Sequence, residues 1–163
     1  MKHVNNTNDT EKTEDTVNAT QQQYPISFSI FALARSHRAL AAHLLREIDL
    51  FPGQELLLMQ LWQRDRQSQN RLTQALGLDH STIAKSVKRL QDAGLVTRSR
   101  SPEDGRVTLV TLTEAGRELE SSVLGAWNKL EDVTSDALTD HEKTLFIEML
   151  NKVALKVDEN LKS

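Results

Sequence analysis

The sequence predicts a mainly α protein carrying one small antiparallel β-hairpin, and three observations support that expectation. Apolar residues recur at helical spacing through most of the chain, but residues 95–112 switch to β-branched alternation around Pro102, Asp104 and Gly105. Glycines stand where helical periodicity ends, at Gly77 and Gly94. Aromatic side chains make up only 4% of the residues, so aliphatic packing must supply most of the core.

The chain is organised around residues 68–112. Leu72, Ala75 and Leu76 lie at core spacing in a short helix over residues 69–76, which stops at Gly77. Asp79 can cap the free N–H groups of a second helix, and Gly94 can take the left-handed conformation that ends it, so its body is residues 80–93. At about 100° per residue, Ile83, Val87 and Leu90 form one stripe. Ser81, Lys85, Lys88 and Arg89, with Thr82 at the margin, form the opposite face, which is hydroxylated and basic.

Two helices joined by so short a turn form a helix-turn-helix, an arrangement that lowers its second helix into a DNA major groove. Residues 95–97 and 107–112 then read as two strands joined by the turn chemistry of residues 101–105. They make a wing, with Arg98, Arg100 and Arg106 around its tip. Lys85 and Arg89 project along one groove. Arg89 suits bidentate contact with guanine, and Ser81 and Thr82 suit hydrogen bonds to phosphate or base edges.

These residues carry a resemblance. The Leu-Gly-Leu-Asp at 76–79, the Ser81-Thr82 start of the second helix, Leu90 with Gly94-Leu95-Val96, and above all the run from Asp104 to Thr113 resemble the MarR family of bacterial transcription regulators. The resemblance extends over about residues 28–161. It implies a winged helix-turn-helix homodimer whose first and last helices intertwine, bound to an inverted-repeat operator in double-stranded DNA and repressing transcription. It further implies that Arg106 enters the minor groove and that Asp104 positions it. The chain departs from the family pattern in having Gly105 where a second arginine is frequent, and Phe51 where a threonine commonly precedes the proline.

The resemblance also implies a small effector, often aromatic or anionic, bound where the dimer helices meet the DNA module. Phe28, Phe31, His37, Met59, Trp62 and Trp127 are the candidates for its contacts, each with an ordinary place in a core as the competing reading. A ligand can relieve repression only if it binds one spacing of the two reading heads better than another.

Taken in order, residues 1–25 are expected to be a disordered polar tail, too rich in Asn, Thr, Asp, Glu, Lys and Gln to offset the entropy of ordering. Its Asn-x-Thr triplets at Asn5, Asn8 and Asn18 match glycosylation acceptors formally, without a secretory signal beside them. Residues 26–50 are expected to form the N-terminal dimerisation helix, amphipathic over 28–48 with more apolar coverage than one contact face requires. His37 and His43 would point about 240° apart on such a helix and could not chelate one metal.

Residues 51–113 form the expected winged domain, and its first helix, starting near Pro52, supplies Leu56, Leu57, Leu58, Met59, Leu61 and Trp62. Residues 114–163 are the expected C-terminal dimerisation helices. Thr113 caps one that reaches Ser135, with Leu119, Val123, Trp127, Leu130 and Val133 as a seam. Thr139 and Glu142 form the capping-box pattern of the last.

Composition narrows the function classes. The 163 residues, 38% hydrophobic and 26% charged, suit one globular domain. The net charge of −3 argues against indiscriminate binding to nucleic acid, yet residues 64–106 hold nine Lys or Arg against five Asp or Glu. No cysteine is present, which excludes disulfides and thiol-based sensing. No apolar run approaches the ~20 residues of a membrane span, so no membrane partner is expected and a cytoplasmic location is.

No cofactor or metal site is expected. His141-Glu142 begins like a zinc-protease motif but lacks the second histidine, and no Gly-rich phosphate loop or nucleophilic set is present, so the chain does not read as an enzyme. Two rivals remain: a winged protein-interaction module, and an architectural DNA binder without sequence preference.

Overall fold

The computed structural model describes residues 21–161. They form helices α1 (Pro25–Arg46), α2 (Gln54–Gln63), α3 (Gln69–Leu76), α4 (His80–Asp92), α5 (Glu114–Glu118), α6 (Glu120–Ser135) and α7 (Asp140–Leu161). Three short strands, β1 (Gln67–Ser68), β2 (Val96–Arg100) and β3 (Thr108–Leu112), make an antiparallel sheet in the order β1-β3-β2. The protein is mainly α with a small antiparallel sheet, as its periodicities predict. No helix among the described residues is long and apolar enough to cross a membrane.

The described residues divide into two units, with the boundary between Leu40 and Ala41. The division falls inside α1, where Leu44 and Leu45 near its end are buried and Leu45 joins the core of the second unit. In the first unit helical backbone is already present at residues 21–23, and Phe28 N–H bonds to the Tyr24 carbonyl at 3.1 Å. Glutamines are adequate helix formers and can continue a helix outward. The remainder of the expected polar tail, with Asn5, Asn8 and Asn18, lies outside the described residues.

In the second unit the core is aliphatic. Leu57, Leu58 and Leu61 of α2, Leu72 of α3, Ile83, Val87 and Leu90 of α4, and Val96, Val110 and Leu112 of the sheet are all buried. The apolar stripe expected on α4 is the stripe that the core takes up. Helix α2 starts at Gln54, two residues after Pro52, and builds its cap from its own first turn. Gln54 Oε1 accepts Phe51 N–H and Glu55 Oε2 accepts Gly53 N–H, each at 2.7 Å. Both side chains are buried by that task, and burial pushes the Glu55 carboxyl above its ordinary value against the lowering effect of the Glu55 and Gly53 N–H groups.

Strand β1 is too short for any periodicity to reveal. Gln67 pairs with Val110 and Ser68 with Leu109. The Gln67 side chain is buried, donating to the Gln60 and Arg64 carbonyls at 2.7 Å each, so it closes the end of α2.

The helix expected over residues 113–135 bends at Leu119, where φ −73° and ψ −12° depart from regular helix. Hydrogen bonding continues through the bend, from Leu119 N–H to Ala115 and from Val123 N–H to Leu119. The expected seam is split in two. Val123 and Leu130 are buried, whereas Trp127 and Val133 are exposed. The capping box of α7 forms as its sequence implies: Thr139 N–H donates to Glu142 Oε2 at 2.8 Å and Glu142 N–H to Thr139 Oγ1 at 3.3 Å.

Candidate nucleic-acid interface

Ser68 begins the helix-turn-helix, its Oγ accepting Arg71 N–H at 3.2 Å to cap α3. Gly77 ends α3 with φ 63°, a left-handed conformation that costs glycine nothing sterically. Asp79 then caps α4. Its Oδ1 accepts Thr82 N–H at 2.9 Å and the Ser81 hydroxyl at 2.6 Å, and its Oδ2 accepts the Thr82 hydroxyl at 2.6 Å. These bonds, the Ser81 and Thr82 hydroxyls first, hold the Asp79 carboxyl far below the ordinary aspartate range.

That cap changes what Ser81 and Thr82 offer. Each hydroxyl has one proton, and both protons are committed to Asp79, so what the two side chains present outward is acceptor oxygen. They suit amino groups on base edges better than phosphate oxygens. The sequence did not distinguish these roles, because a capping aspartate is expected to reach backbone N–H and not to collect both hydroxyls as well.

Along the outer face of α4, Lys85, Lys88 and Arg89 are exposed. Lys88 Nζ meets Asp92 Oδ2 at 2.6 Å, an exposed i,i+4 pair that contributes little and yields readily to a phosphate. The Arg89 guanidinium lies over the Phe51 ring, 5.8 Å from its centroid.

Strands β2 and β3 pair in the register Val96 with Leu112, Arg98 with Val110 and Arg100 with Thr108. The wing tip holds itself. Ser101 N–H bonds to the Val107 carbonyl and Val107 N–H to the Asp104 carbonyl, both at 2.9 Å. Asp104 Oδ1 accepts Arg106 N–H at 2.9 Å, so the acidic residue shapes the turn through the backbone of Arg106. Arg100 Nη1 is 3.4 Å from the Arg106 carbonyl and from Thr108 Oγ1, bracing the same turn. Arg98 Nε donates to Gln91 Oε1 on α4, tying the wing to the last turn of the helix.

Arg98 and Arg100 thus have structural partners that the sequence did not disclose, and Gln91 gains a role that no sequence pattern marked. Arg106 is exposed and borders a cleft of about 150 Å³ with Ser68, Gln69, Asn70, Val107 and Thr108, where the start of α3 faces the wing.

The expected ligand contacts fall in both units. Met59 and Trp62 are partly buried against the core, and the Trp62 indole N–H donates to the Gly116 carbonyl at 3.0 Å. Trp127 lines a shallow concavity with Ala41, Leu44, Leu45, Glu55, Ala126 and Leu130. Phe28, Phe31 and His37 belong to the first unit, where Phe31 is exposed and the other two are half-buried.

A capped helix with a basic outer face, preceded by a short helix and braced against an arginine-tipped hairpin, defines a winged helix-turn-helix. Residues 50–108, which hold nearly all of it, match the MarR family. The chain is 34% identical over 98 residues to the uncharacterized HTH-type transcriptional regulator YdgJ of Bacillus subtilis (strain 168), covering 60% of this chain and 59% of that protein. The match to the organic hydroperoxide resistance transcriptional regulator of the same organism is 31% over 99 residues, 61% of this chain and 67% of that one. Its fold is similar to the PcaV transcriptional regulator of Streptomyces coelicolor, solved in complex with its natural ligand, at a TM-score of 0.73 and 27% identity over 82% of this chain and 94% of that chain. The chain belongs to the MarR family of transcription regulators, and these are not enzymes.

Proposed function

We propose that the protein is a cytoplasmic repressor that binds an inverted-repeat operator in double-stranded DNA as a homodimer, occluding a promoter until a small molecule relieves it. The basic outer face of α4 is the observation that carries the DNA-binding part, because Leu90 beneath it shares one core with Val96 and Val110 of the wing, which also meets the helix through Arg98 and Gln91. On this reading α4 lies in the major groove, with Lys85, Lys88 and Arg89 toward the DNA and Ser81 and Thr82 accepting from base edges. Arg106 enters the adjacent minor groove, its backbone set by Asp104. Arg98 and Arg100 add positive charge beside the phosphates while bracing the hairpin.

The homodimer is supported by apolar surface that has no use in a monomer. Helix α7 has 22 residues and none is buried, although Leu145, Ile147, Met149, Leu150, Val153, Leu155 and Val157 lie along it. In the first unit Ile26, Ile30, Phe31 and Leu33 are likewise exposed. Residues 26–50 and 114–163 would then serve dimerisation and residues 51–113 recognition. Two-fold symmetry places the half-site centres about one helical turn apart, roughly 34–36 Å. The ligand reading rests on the resemblance, which supplies Phe28, Phe31, His37, Met59, Trp62 and Trp127 as its contacts, and on the ligand-bound state of PcaV.

Selection of bound duplexes from a random library at physiological salt tests this reading. Enrichment of a dyad with that spacing is the expected result. Binding without enrichment would favour an architectural role, and no binding even at low salt would assign the winged domain to protein contacts instead.

A further inference from the structure

We propose that Phe51 is a positioning residue for sequence readout: its ring is a platform that holds the Arg89 guanidinium in place before DNA arrives. The inference rests on the DNA-binding reading above and concerns which residue sets the aim of Arg89, one of the side chains that reading turns toward the DNA.

The backbone around Phe51 is fixed on both sides. Leu50 is 1% exposed and anchored in the core. Phe51 N–H donates to Gln54 Oε1 at 2.7 Å, and Gln54 is itself 4% exposed. Pro52 confines the residue before it to extended conformations, and Phe51 is that residue. The ring nevertheless stands 59% exposed, outside the core that holds its neighbour. What it meets there is Arg89, whose guanidinium carbon is 5.8 Å from the ring centroid, within the range of attraction between a cation and an aromatic face.

The consequence follows from the chemistry of arginine. A long side chain with many rotamers loses freedom when its planar fork engages a base, and a ring that holds it beforehand lessens that loss. A cation held over a ring spends none of its N–H donors on that attraction, so the platform leaves the donors of Arg89 available to a guanine edge. Lys88, by contrast, pairs with Asp92 on its own helix, an exposed contact that gives way readily. The platform comes from another element, the turn before α2, and ties the aim of Arg89 to the start of that helix.

The test compares wild type, Phe51→Leu, Phe51→Tyr, Arg89→Ala and the Phe51→Leu/Arg89→Ala double variant by repeated duplex selection and by titration of the enriched duplex. NMR of the free proteins follows ring-current shifts on the Arg89 side chain. Phe51→Leu is expected to remove those shifts, to weaken binding roughly two- to fivefold, and to flatten preference at the base pair whose preference Arg89→Ala also removes. Phe51→Tyr keeps the ring and should behave as wild type, and Phe51→Leu should change nothing further once Arg89 is alanine. Wild-type affinity and preference in Phe51→Leu would overturn the proposal, as would a loss that persists in the Arg89→Ala background. If wild type enriches no motif, the sequence-specific reading itself fails and the proposal falls with it.

Discussion

The indole N–H of Trp62 donates to the carbonyl of Gly116 at 3.0 Å, across 54 positions of sequence. Gly116 also lies so close to Leu95 that a Cβ there would stand 2.1 Å from the Leu95 carbonyl oxygen. Thr113 reinforces the junction, its hydroxyl donating to the Gly94 carbonyl at 2.7 Å and its N–H to the Leu95 carbonyl at 3.1 Å. Helix α2, the turn that ends α4 and the start of α5 therefore meet at one point.

Substitutions at that point should separate a lost bond from a clash. Trp62→Phe removes the donor and leaves the Gly116 carbonyl with one partner fewer, at a cost of about 1 kcal/mol. Gly116→Ala forces backbone apart and should cost about 3 kcal/mol or more. Urea unfolding followed by far-UV circular dichroism gives both values, and equal effects would show that the close approach is not what Gly116 is for.

Acid should weaken the junction between α2 and the wing through Asp65. Burial raises its carboxyl, but the Leu112 and Arg66 N–H groups and the Arg117 guanidinium outweigh that and hold it below the ordinary aspartate value. A lowered carboxylate contributes stability that is present above its unfolded value and lost as pH falls through the folded one. Wild type should therefore lose more stability than Asp65→Asn as pH is lowered past the ordinary aspartate range. Parallel pH profiles for the two proteins would remove Asp65 from the account.

Glu55 should act with the opposite sign. Its carboxyl is raised by burial, so its contribution is greatest below the ordinary glutamate value and declines as pH rises through the raised one. Glu55→Gln keeps an oxygen for Gly53 N–H and should flatten the stability profile between the ordinary glutamate value and neutrality. A steeper decline in the variant would reverse the assignment.

Two wing substitutions should differ in salt dependence. Arg106→Ala removes a cation at the tip and should weaken operator binding while lowering the slope of log K against log salt by about one. Gln91→Ala removes the partner of Arg98 without removing charge, so affinity should fall about fivefold or less at an unchanged slope. Fluorescence anisotropy across a salt series measures both.

Charge placed on α7 should prevent the proposed homodimer from forming without unfolding the winged unit. Leu150 and Val153 are exposed on a helix with no buried residue. Leu150→Asp with Val153→Asp should convert the sedimenting species from dimer to monomer while leaving its helical signal largely intact. An unchanged dimer would place the subunit contact elsewhere.

Local chemistry made most of the fold legible in advance. Gly77 and Gly94 adopt the left-handed angles their positions imply, Asp79, Thr113 and Thr139 cap the helices they precede, and Ile83, Val87 and Leu90 take the buried stripe of α4. Each of these depends on residues within a few positions of one another, and spacing alone records such relations. The basic outer face and the wing arginines were legible for the same reason.

What only the tertiary structure decided are pairings between residues far apart in sequence. The two-residue strand β1 exists because β3 offers it an edge, and Gln67 is buried because the end of α2 needs a donor. Arg98 meets Gln91, Arg117 meets Asp65, Trp62 meets Gly116 and Phe51 lies beneath Arg89. No periodicity encodes these contacts, because each depends on how elements pack and not on the preference of either residue. The sequence by itself determined a winged helix-turn-helix and its charged face; packing determined how each side chain on that face is held and which way its donors point.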